Sequence, residues 1–123
     1  VTVASHTNNM HMYLPSGVFG LQRPAIVAHI TDPATGSMET EAAHYNRILT
    51  DLKTSWSKLE EQLGQPATIL AFPYGVSDPA ARRAAAEARS TLASHGSGLA
   101  DVPRLVVEPG ISREKFQRLL EGY

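Results

Sequence analysis

The sequence predicts an α/β domain, because strand-like and helix-like segments alternate along the chain. Residues 1–5 (VTVAS) and 67–72 (ATILAF) are short apolar segments typical of strands, and a long helical pattern lies between them over residues 40–63. A second helical pattern follows Asp78. Strands that alternate with helices usually form a parallel sheet or barrel, whose functional groups lie at the carboxyl ends of the strands. The residues that follow the two strands are therefore the first candidates for a site.

The helix over residues 40–63 has the clearest pattern in the chain. Its apolar residues recur at steps of three and four and share one face: Tyr45, Ile48, Leu49, Leu52, Trp56, Leu59 and Leu63. Gly64 and Pro66 indicate its end, because glycine favours the left-handed conformation after a last turn and proline cannot continue a helix. We expect the opposite face, which contains Lys58, to be solvated, and His44 to be a partly exposed helical residue.

The other predicted elements are shorter. Asp78 is placed to cap the second helix with Pro79 in its first turn, and Ser112 is placed to cap a last helix. Residues 6–38 contain proline and glycine too often for a long helix, so we predict a long irregular segment there. Further short strands are predicted at residues 24–30 (PAIVAHI), 90–94 (STLAS) and 104–109 (RLVVEP).

The composition limits the classes of function. The 123 residues suit one domain, with 42% hydrophobic residues, 19% charged residues and a net charge of −1. Because there is no basic cluster, we expect no nucleic acid as a partner. No apolar run approaches the ~18–20 residues that span a bilayer, so we expect no transmembrane segment. The chain has no cysteine, which excludes thiolate catalysis and leaves His, Asp and Glu as metal ligands.

The first strand is followed by two histidines, His6 and His11. Two imidazoles at a strand's carboxyl end could reach one metal ion, although a catalytic zinc takes three protein ligands and keeps an open position. A carboxylate from elsewhere would have to complete such a site. The alternative is that these are two unrelated histidines in a surface loop.

The second strand is followed by Pro73, Tyr74 and Gly75. A turn of this kind holds its backbone rigidly, so that an N–H group in it could donate a hydrogen bond to an oxyanion. The alternative is an ordinary turn, since proline and glycine end strands in many proteins.

Other titratable residues are weaker candidates. His29 could line a groove, and His95 lies in a turn rich in serine and glycine. We expect surface positions for the acidic residues Glu39, Glu41, Glu60, Glu61 and Glu87, and loop positions for Asp32 and Asp101. The sequence has no G-x-S-x-G, P-loop or G-x-G-x-x-G motif, so a serine-hydrolase elbow or a nucleotide cradle has no support.

Two segments, ASHTNNMH (residues 4–11) and AFPYG (residues 71–75), together resemble the motifs of the polysaccharide deacetylases with the NodB-homology fold, carbohydrate esterase family four. In that family one strand ends in a histidine motif and a later strand ends in P-Y-G. The five-residue spacing of the histidines is similar to the branch that deacetylates the poly-N-acetylglucosamine of biofilms. Residues 39–75 and 102–120 also resemble segments of that branch.

The resemblance implies a deformed (β/α) barrel, of which residues 1–123 would be a single-domain fragment from the C-terminal portion. It implies a metal-dependent hydrolase that removes N-acetyl groups from a β-linked N-acetylglucosamine polysaccharide and cleaves a non-peptide C–N amide bond. His6 and His11 match the family's metal-ligating histidines, with Zn²⁺ as the expected ion and Ni²⁺, Co²⁺ or Fe²⁺ as alternatives. Tyr74 matches the residue whose backbone N–H stabilises the oxyanion, and Pro73 and Tyr74 would bind substrate.

The sequence departs from the family pattern at two points. The family's metal-binding aspartate and its aspartate base lie in an FDD-like motif before the histidines, and we expect an upstream part of the same protein to supply them. The region RLVVEP also lacks the late histidine that many members use as general acid, so the general acid stays open. We expect an extracellular or cell-envelope location. The alternatives are a non-catalytic glycan-binding or vestigial module of the same fold, or an α/β fragment whose histidines bind nothing.

Overall fold

The computed structural model describes residues 4–64, 67, 69–92 and 110–121. The elements in chain order are β1 (Ala4–Ser5), β2 (Tyr13–Ser16), β3 (Leu21–Pro24), α1 (Glu41–Leu63), β4 (Ile69–Leu70), a 3₁₀ turn (Pro73–Gly75), α2 (Pro79–Leu92) and α3 (Arg113–Glu121). Strands β1 and β4 pair in parallel, and β2 and β3 form an antiparallel hairpin. The predicted mixed α/β class is confirmed; the described residues form two two-stranded sheets and do not themselves show a barrel.

Helix α1 begins and ends where the sequence predicts. The Thr40 side chain accepts a hydrogen bond from the Ala43 N–H at 3.1 Å and caps the first turn. At the other end Gly64 has φ 67°, and its N–H donates to the Glu60 carbonyl at 2.9 Å. The predicted apolar face is buried at its centre, whereas Leu63 at its end is 46% exposed.

Helices α1 and α2 pack together through small side chains. Over residues 79–88, the part of α2 whose burial is described, the buried residues are all alanines: Ala80, Ala81, Ala84, Ala85 and Ala88. Alanine lets the two backbones approach, and the large side chains of Ile48, Leu52 and Trp56 on α1 fill the space between them. Asp78 caps α2 as predicted, because its Oδ1 accepts from the Ala81 N–H at 2.7 Å. The α1–α2 pair therefore forms the main core of the described chain.

The strand predicted at residues 24–30 is wrong. Pro24 ends β3, residues 25–27 form a turn, and the N–H groups of Val27 and Ala28 both donate to the Pro24 carbonyl. The guanidinium of Arg47 on α1 donates to the carbonyls of Ala25 and Ala28, at 2.9 and 2.7 Å. These carbonyls are thus satisfied without a strand partner, so this apolar segment packs in the core as a turn. The predicted irregular region 6–38 also contains the β2–β3 hairpin, which sequence analysis missed.

Two other strand predictions need correction. Of the segment 90–94, residues 90–92 belong to α2, and the rest lies outside the described residues. Among the described residues of the segment 67–72, only Ile69–Leu70 is strand, and Ile69 is 48% exposed rather than buried, because no further described element covers that side. The strand predicted at 104–109 lies outside the described residues.

The last predicted helix is present as α3. The Ser112 hydroxyl accepts from the Lys115 N–H at 3.2 Å, so the predicted cap is confirmed. No helix in the described part of the chain combines the length and the apolar character that crossing a bilayer requires.

Candidate metal and substrate site

The parallel pairing of β1 with β4 places the ends of both strands side by side. Ala4 is opposite Ile69 and Ser5 is opposite Leu70, and the Ala71 N–H donates to the Ser5 carbonyl at 2.8 Å. The residues that follow both strands therefore emerge at the same edge. The first motif, with His6 and His11, thus meets the second motif, with Pro73 and Tyr74.

His6 is oriented by the backbone of the second motif. Its Nδ1 lies 2.8 Å from the carbonyl oxygen of Ala71. A carbonyl can only accept, so Nδ1 carries the hydrogen and the other ring nitrogen, Nε2, keeps its lone pair. Histidines that bind metals are usually held in this way, with one nitrogen donating to a carbonyl and the other facing the ion.

The loop that carries both histidines is fixed to α1. The Asp51 carboxylate accepts from the backbone N–H groups of Asn8 and Asn9, each at 2.8 Å. The hydroxyl of Ser55, one turn further along α1, lies 2.6 Å from that of Ser5. Met10, between the two histidines, is only 3% exposed and belongs to the core. Helix α1 thus fixes the loop through these contacts, while the side chains of His6 and His11 stay exposed.

Four aromatic rings form a continuous row at this edge, which we call the ring row: His6, His11, Tyr74 and Tyr13. The ring centroids of neighbours are 5.0 Å apart for His6–His11, 4.5 Å for His11–Tyr74 and 4.8 Å for Tyr74–Tyr13. Two imidazoles bound to one tetrahedral ion through bonds of about 2.0–2.1 Å have ring centres about 5 Å apart. The separation of His6 and His11 therefore suits a shared metal ion.

Backbone strain is concentrated beside the ring row. Among the described residues two that are not glycine have positive φ, Thr7 at 73° and Tyr74 at 57°. A side chain in this conformation costs roughly 1–2 kcal/mol, and residues held so are often found at functional sites. Thr7 follows His6 directly, and Tyr74 contacts His11. Both strained residues thus lie next to the histidine pair.

The strained turn contains one amide that has no backbone acceptor among the described residues. The N–H groups of Gly75 and Val76 donate to the carbonyls of Phe72 and Pro73, at 3.0 and 3.3 Å. The Tyr74 N–H has no such acceptor within the described residues. Pro73 is buried and anchors the turn, whereas Tyr74 is 39% exposed. A preorganised donor at an exposed edge is what an oxyanion requires.

A second group of possible ligands lies between the start of α1 and the start of α2. His29, His44 and Asp78 each offer an atom, and these three atoms lie within 4.8 Å of one another, so the group could hold a metal. The rings of His29 and His44 stack with centroids 4.2 Å apart. His44 is 0% exposed, so the prediction of a partly exposed residue is wrong.

Two residues of this second group, His44 and Asp78, already have protein partners. The Arg47 guanidinium lies 3.1 Å from His44 Nδ1, and since it can only donate, Nδ1 accepts. His44 Nε2 must then donate to Asp78 Oδ2 at 2.8 Å, while Asp78 Oδ1 caps α2. Both ring nitrogens of His44 and both oxygens of Asp78 are therefore engaged, and the bond between Nε2 and Oδ2 joins α1 to the start of α2.

Glu39 belongs to the same buried cluster. We expected a surface charge, but its side chain is only 11% exposed and its Oε1 lies 2.8 Å from Arg47 Nε. Burial by itself would raise the pKa of the Glu39 carboxyl, but hydrogen bonds from Arg47 and from the Ile30 N–H, together with the Arg47 charge, outweigh burial and lower that pKa. The prediction failed because both partners of Glu39 come from other segments.

The remaining titratable candidates are exposed or lie outside the described residues. Glu41, Glu60 and Glu61 are exposed as predicted. Glu87 is exposed too and accepts a hydrogen bond from the Tyr45 hydroxyl. Asp32 lies in a loop as predicted, and its carboxylate accepts from the Ala34 N–H at 2.8 Å. His95 and Asp101 lie outside the described residues.

Comparisons with known proteins find similar solved structures. No family model matches the sequence, and no curated protein matches it significantly. Among solved structures, the chain is similar to the deacetylase domain of BpsB from Bordetella bronchiseptica, with 31% identity and a TM-score of 0.67. It is also similar to a de-N-acetylase from Aggregatibacter actinomycetemcomitans, with 31% identity and a TM-score of 0.65. Each match covers 72% of this chain and 33% of the other, so the chain spans a third of the structures it matches.

The comparisons agree with the resemblance that the two motifs carry. Both similar structures are deacetylases by description, and 72% of this chain has a fold similar to theirs. The chain is therefore related to the polysaccharide deacetylases of the NodB-homology type, close to the poly-N-acetylglucosamine branch.

Proposed function

We propose that this chain carries part of the active site of a metal-dependent de-N-acetylase that acts on a β-linked N-acetylglucosamine polysaccharide. The observation that carries the proposal is the ring row. It joins two histidines, whose separation suits a shared metal ion, to a strained tyrosine turn whose Tyr74 N–H has no backbone acceptor in the described part of the chain. The similarity to deacetylase domains supports the same reaction.

His6 and His11 would hold the metal through ring nitrogens, with Zn²⁺ as the expected ion. The hydrogen bond from His6 Nδ1 to the Ala71 carbonyl supports this role, because it leaves Nε2 available as a ligand. When bound, such an ion lowers the pKa of a water molecule and polarises a carbonyl. The aspartate ligand and the aspartate base would come from an upstream part of the same protein, which would also complete the deformed (β/α) barrel.

Tyr74 would act through its main chain. Attack on an acetamide carbonyl produces negative charge on the carbonyl oxygen, and a fixed N–H group next to it lowers the energy of the transition state. The positive φ of Tyr74 and the buried ring of Pro73 hold this N–H in place. Pro73 and Tyr74 would also contact the sugar. We place the protein outside the cell or in the cell envelope, where such polymers occur.

The experiment measures bound metal and acetate release for the protein and three variants. His6→Ala and His11→Ala should each lose metal retention and deacetylation together, since one histidine cannot replace the pair. His29→Ala is the matched control, because it removes a histidine from the second group, and it should keep both. Metal content and activity that survive His11→Ala would refute the assignment.

A non-catalytic glycan-binding module is the second candidate. One observation favours it: within the described residues, the group of three or more ligating side chains is the one at His29, His44 and Asp78, and none includes His6 or His11. Binding of an N-acetylglucosamine oligomer without acetate release, in the metal-loaded protein, would decide for this alternative.

A further inference from the structure

We infer that Tyr13 is a specificity-determining residue, which binds the sugar unit next to the one that loses its acetyl group and so favours polymeric over monomeric substrate. This inference rests on the proposed function. It extends the site along the ring row, away from the histidine pair and past Tyr74.

The position of Tyr13 supports this role. Its ring centroid lies 4.8 Å from that of Tyr74, which in turn lies 4.5 Å from that of His11. A ligand that reaches the histidine pair and extends past Tyr74 therefore meets Tyr13 next. The row continues the proposed reaction site without a gap.

The exposed surface of the two tyrosines suits a sugar. Their planes are tilted by 55° rather than parallel, and Tyr13 remains 52% exposed and Tyr74 39% exposed. A tyrosine offers an apolar face with a polar tip. A pyranose offers C–H groups on its faces and hydroxyls at its edge, and an N-acetylglucosamine unit has no charge. The two tyrosine rings thus offer the same combination of apolar face and polar edge.

Tyr13 is also held firmly by the backbone. It begins β2 and is paired with Pro24 on β3, and just before it the Met12 carbonyl accepts from the Ala25 N–H at 2.8 Å. Ala25 is 1% exposed and belongs to the core. The main chain at Tyr13 therefore needs no further ordering when the ligand binds.

The test compares the metal-loaded protein with Tyr13→Ala, Tyr13→Phe and Phe19→Ala, on N-acetylglucosamine and on its β-linked pentamer. Tyr13→Ala should raise KM for the pentamer about tenfold with kcat nearly unchanged, because it removes binding shared by ground and transition states. Tyr13→Phe keeps the ring and should stay close to wild type. The rate on the single sugar should not change in any variant.

Phe19 is the matched control, since it is an aromatic residue that is 88% exposed in the turn of the same hairpin, three residue pairs away from Tyr13. Phe19→Ala should behave as wild type. The inference is overturned if Tyr13→Ala leaves the pentamer KM unchanged, if Tyr13→Phe loses as much as Tyr13→Ala, or if Phe19→Ala has the same effect.

A failure of the proposed function would look different. Wild-type protein that releases no acetate from either substrate refutes the deacetylase and leaves Tyr13 to be judged by pentamer affinity in calorimetry. Tyr13→Ala should then weaken the pentamer about tenfold, and equal affinities would overturn the inference.

Discussion

His6 and His11 lie on an exposed edge with ring centroids 5.0 Å apart, whereas His29 and His44 stack at 4.2 Å and His44 is completely buried. His6 uses one ring nitrogen to donate a hydrogen bond to a backbone carbonyl, and its other ring nitrogen is available to a metal. Both ring nitrogens of His44, by contrast, have protein partners. The comparison shows that a short distance between ligating atoms does not identify a metal site. The hydrogen bonds that already occupy those atoms distinguish an available ligand from a structural group.

The residues around the two histidine pairs also differ in how far their polar groups are already bonded. The exposed pair lies beside two strained residues, Thr7 and Tyr74, and beside an amide without an acceptor in the described chain. Around His29 and His44, Arg47 pairs with Glu39, and the hydrogen bond of His44 to Asp78 links α1 to α2. The described region around His6 and His11 thus contains strained residues and an N–H group without a backbone acceptor. The region around His29 and His44 uses its polar atoms to stabilise the fold.

The largest effect is expected at the turn next to the exposed pair. Tyr74→Pro removes the N–H and cannot adopt the φ of 57°, so kcat for deacetylation should fall about 10²–10³-fold. Tyr74→Gly is the control, because glycine keeps the N–H and accepts positive φ. Its kcat should stay within a few-fold of wild type. Equal losses in both variants, measured by acetate release with metal content unchanged, would place the role in the side chain.

The next effect concerns the residue that orients the histidine loop. Asp51→Ala removes the acceptor of the Asn8 and Asn9 N–H groups, so metal affinity should fall about 10–100-fold through misplacement of His6 and His11. Glu61→Ala on the exposed side of α1 is the control and should bind metal as wild type does. Competition with a chromogenic chelator gives both affinities. An unchanged affinity in Asp51→Ala would show that the loop is positioned without this carboxylate.

A smaller effect should separate the buried pair from metal binding. Asp78→Ala removes the cap of α2, worth about 1 kcal/mol, and leaves the His44 N–H without its acceptor, worth about 1–3 kcal/mol. Urea unfolding should therefore show a loss of about 2–4 kcal/mol in the free energy of unfolding. Metal retention by the folded variant should be unchanged. A loss of metal would instead assign the ion to the His29, His44 and Asp78 group.

The smallest effect is a pH dependence of stability. The pKa of Glu39 is lowered in the folded protein, so its contribution is complete above its ordinary value near 4.5 and is lost as pH falls through the lower folded value. Glu39→Gln should lose part of this dependence while its stability near pH 7 also falls. Unfolding curves between about pH 3 and pH 7 test this, and identical pH profiles for both proteins would contradict it.

Local signals in the sequence predicted the helix boundaries but not the polar contacts. Thr40 and Gly64 bound α1 and Asp78 caps α2, because each acts on neighbours within four residues. The burial of His44 could not be predicted in this way, since its partner Asp78 lies 34 positions later. The turn after Pro24 was also hidden, because it depends on the Arg47 side chain.

The residues of the two motifs were predictable from the sequence, but the further residues around them were not. His6, His11, Pro73 and Tyr74 follow predicted strands, and the parallel pairing of those strands brings them to one edge. Asp51 and Tyr13 were missed, because Asp51 lies outside the predicted apolar face of the helix and Tyr13 in a segment expected to be irregular. One signal was present: Asp51, Ser55 and Lys58 repeat at helical spacing, and all three contact the histidine motif or Ser5 before it.

The most direct test of the central claim is nitrogen NMR of the five histidine rings during a Zn²⁺ titration, with each ring assigned by its His→Ala variant. If His6 and His11 hold the ion, their ring nitrogen resonances should shift to metal-bound positions at one equivalent, while those of His29 and His44 stay in place. Shifts at His29 and His44 with His6 and His11 unchanged would contradict the account and move the metal to the buried cluster.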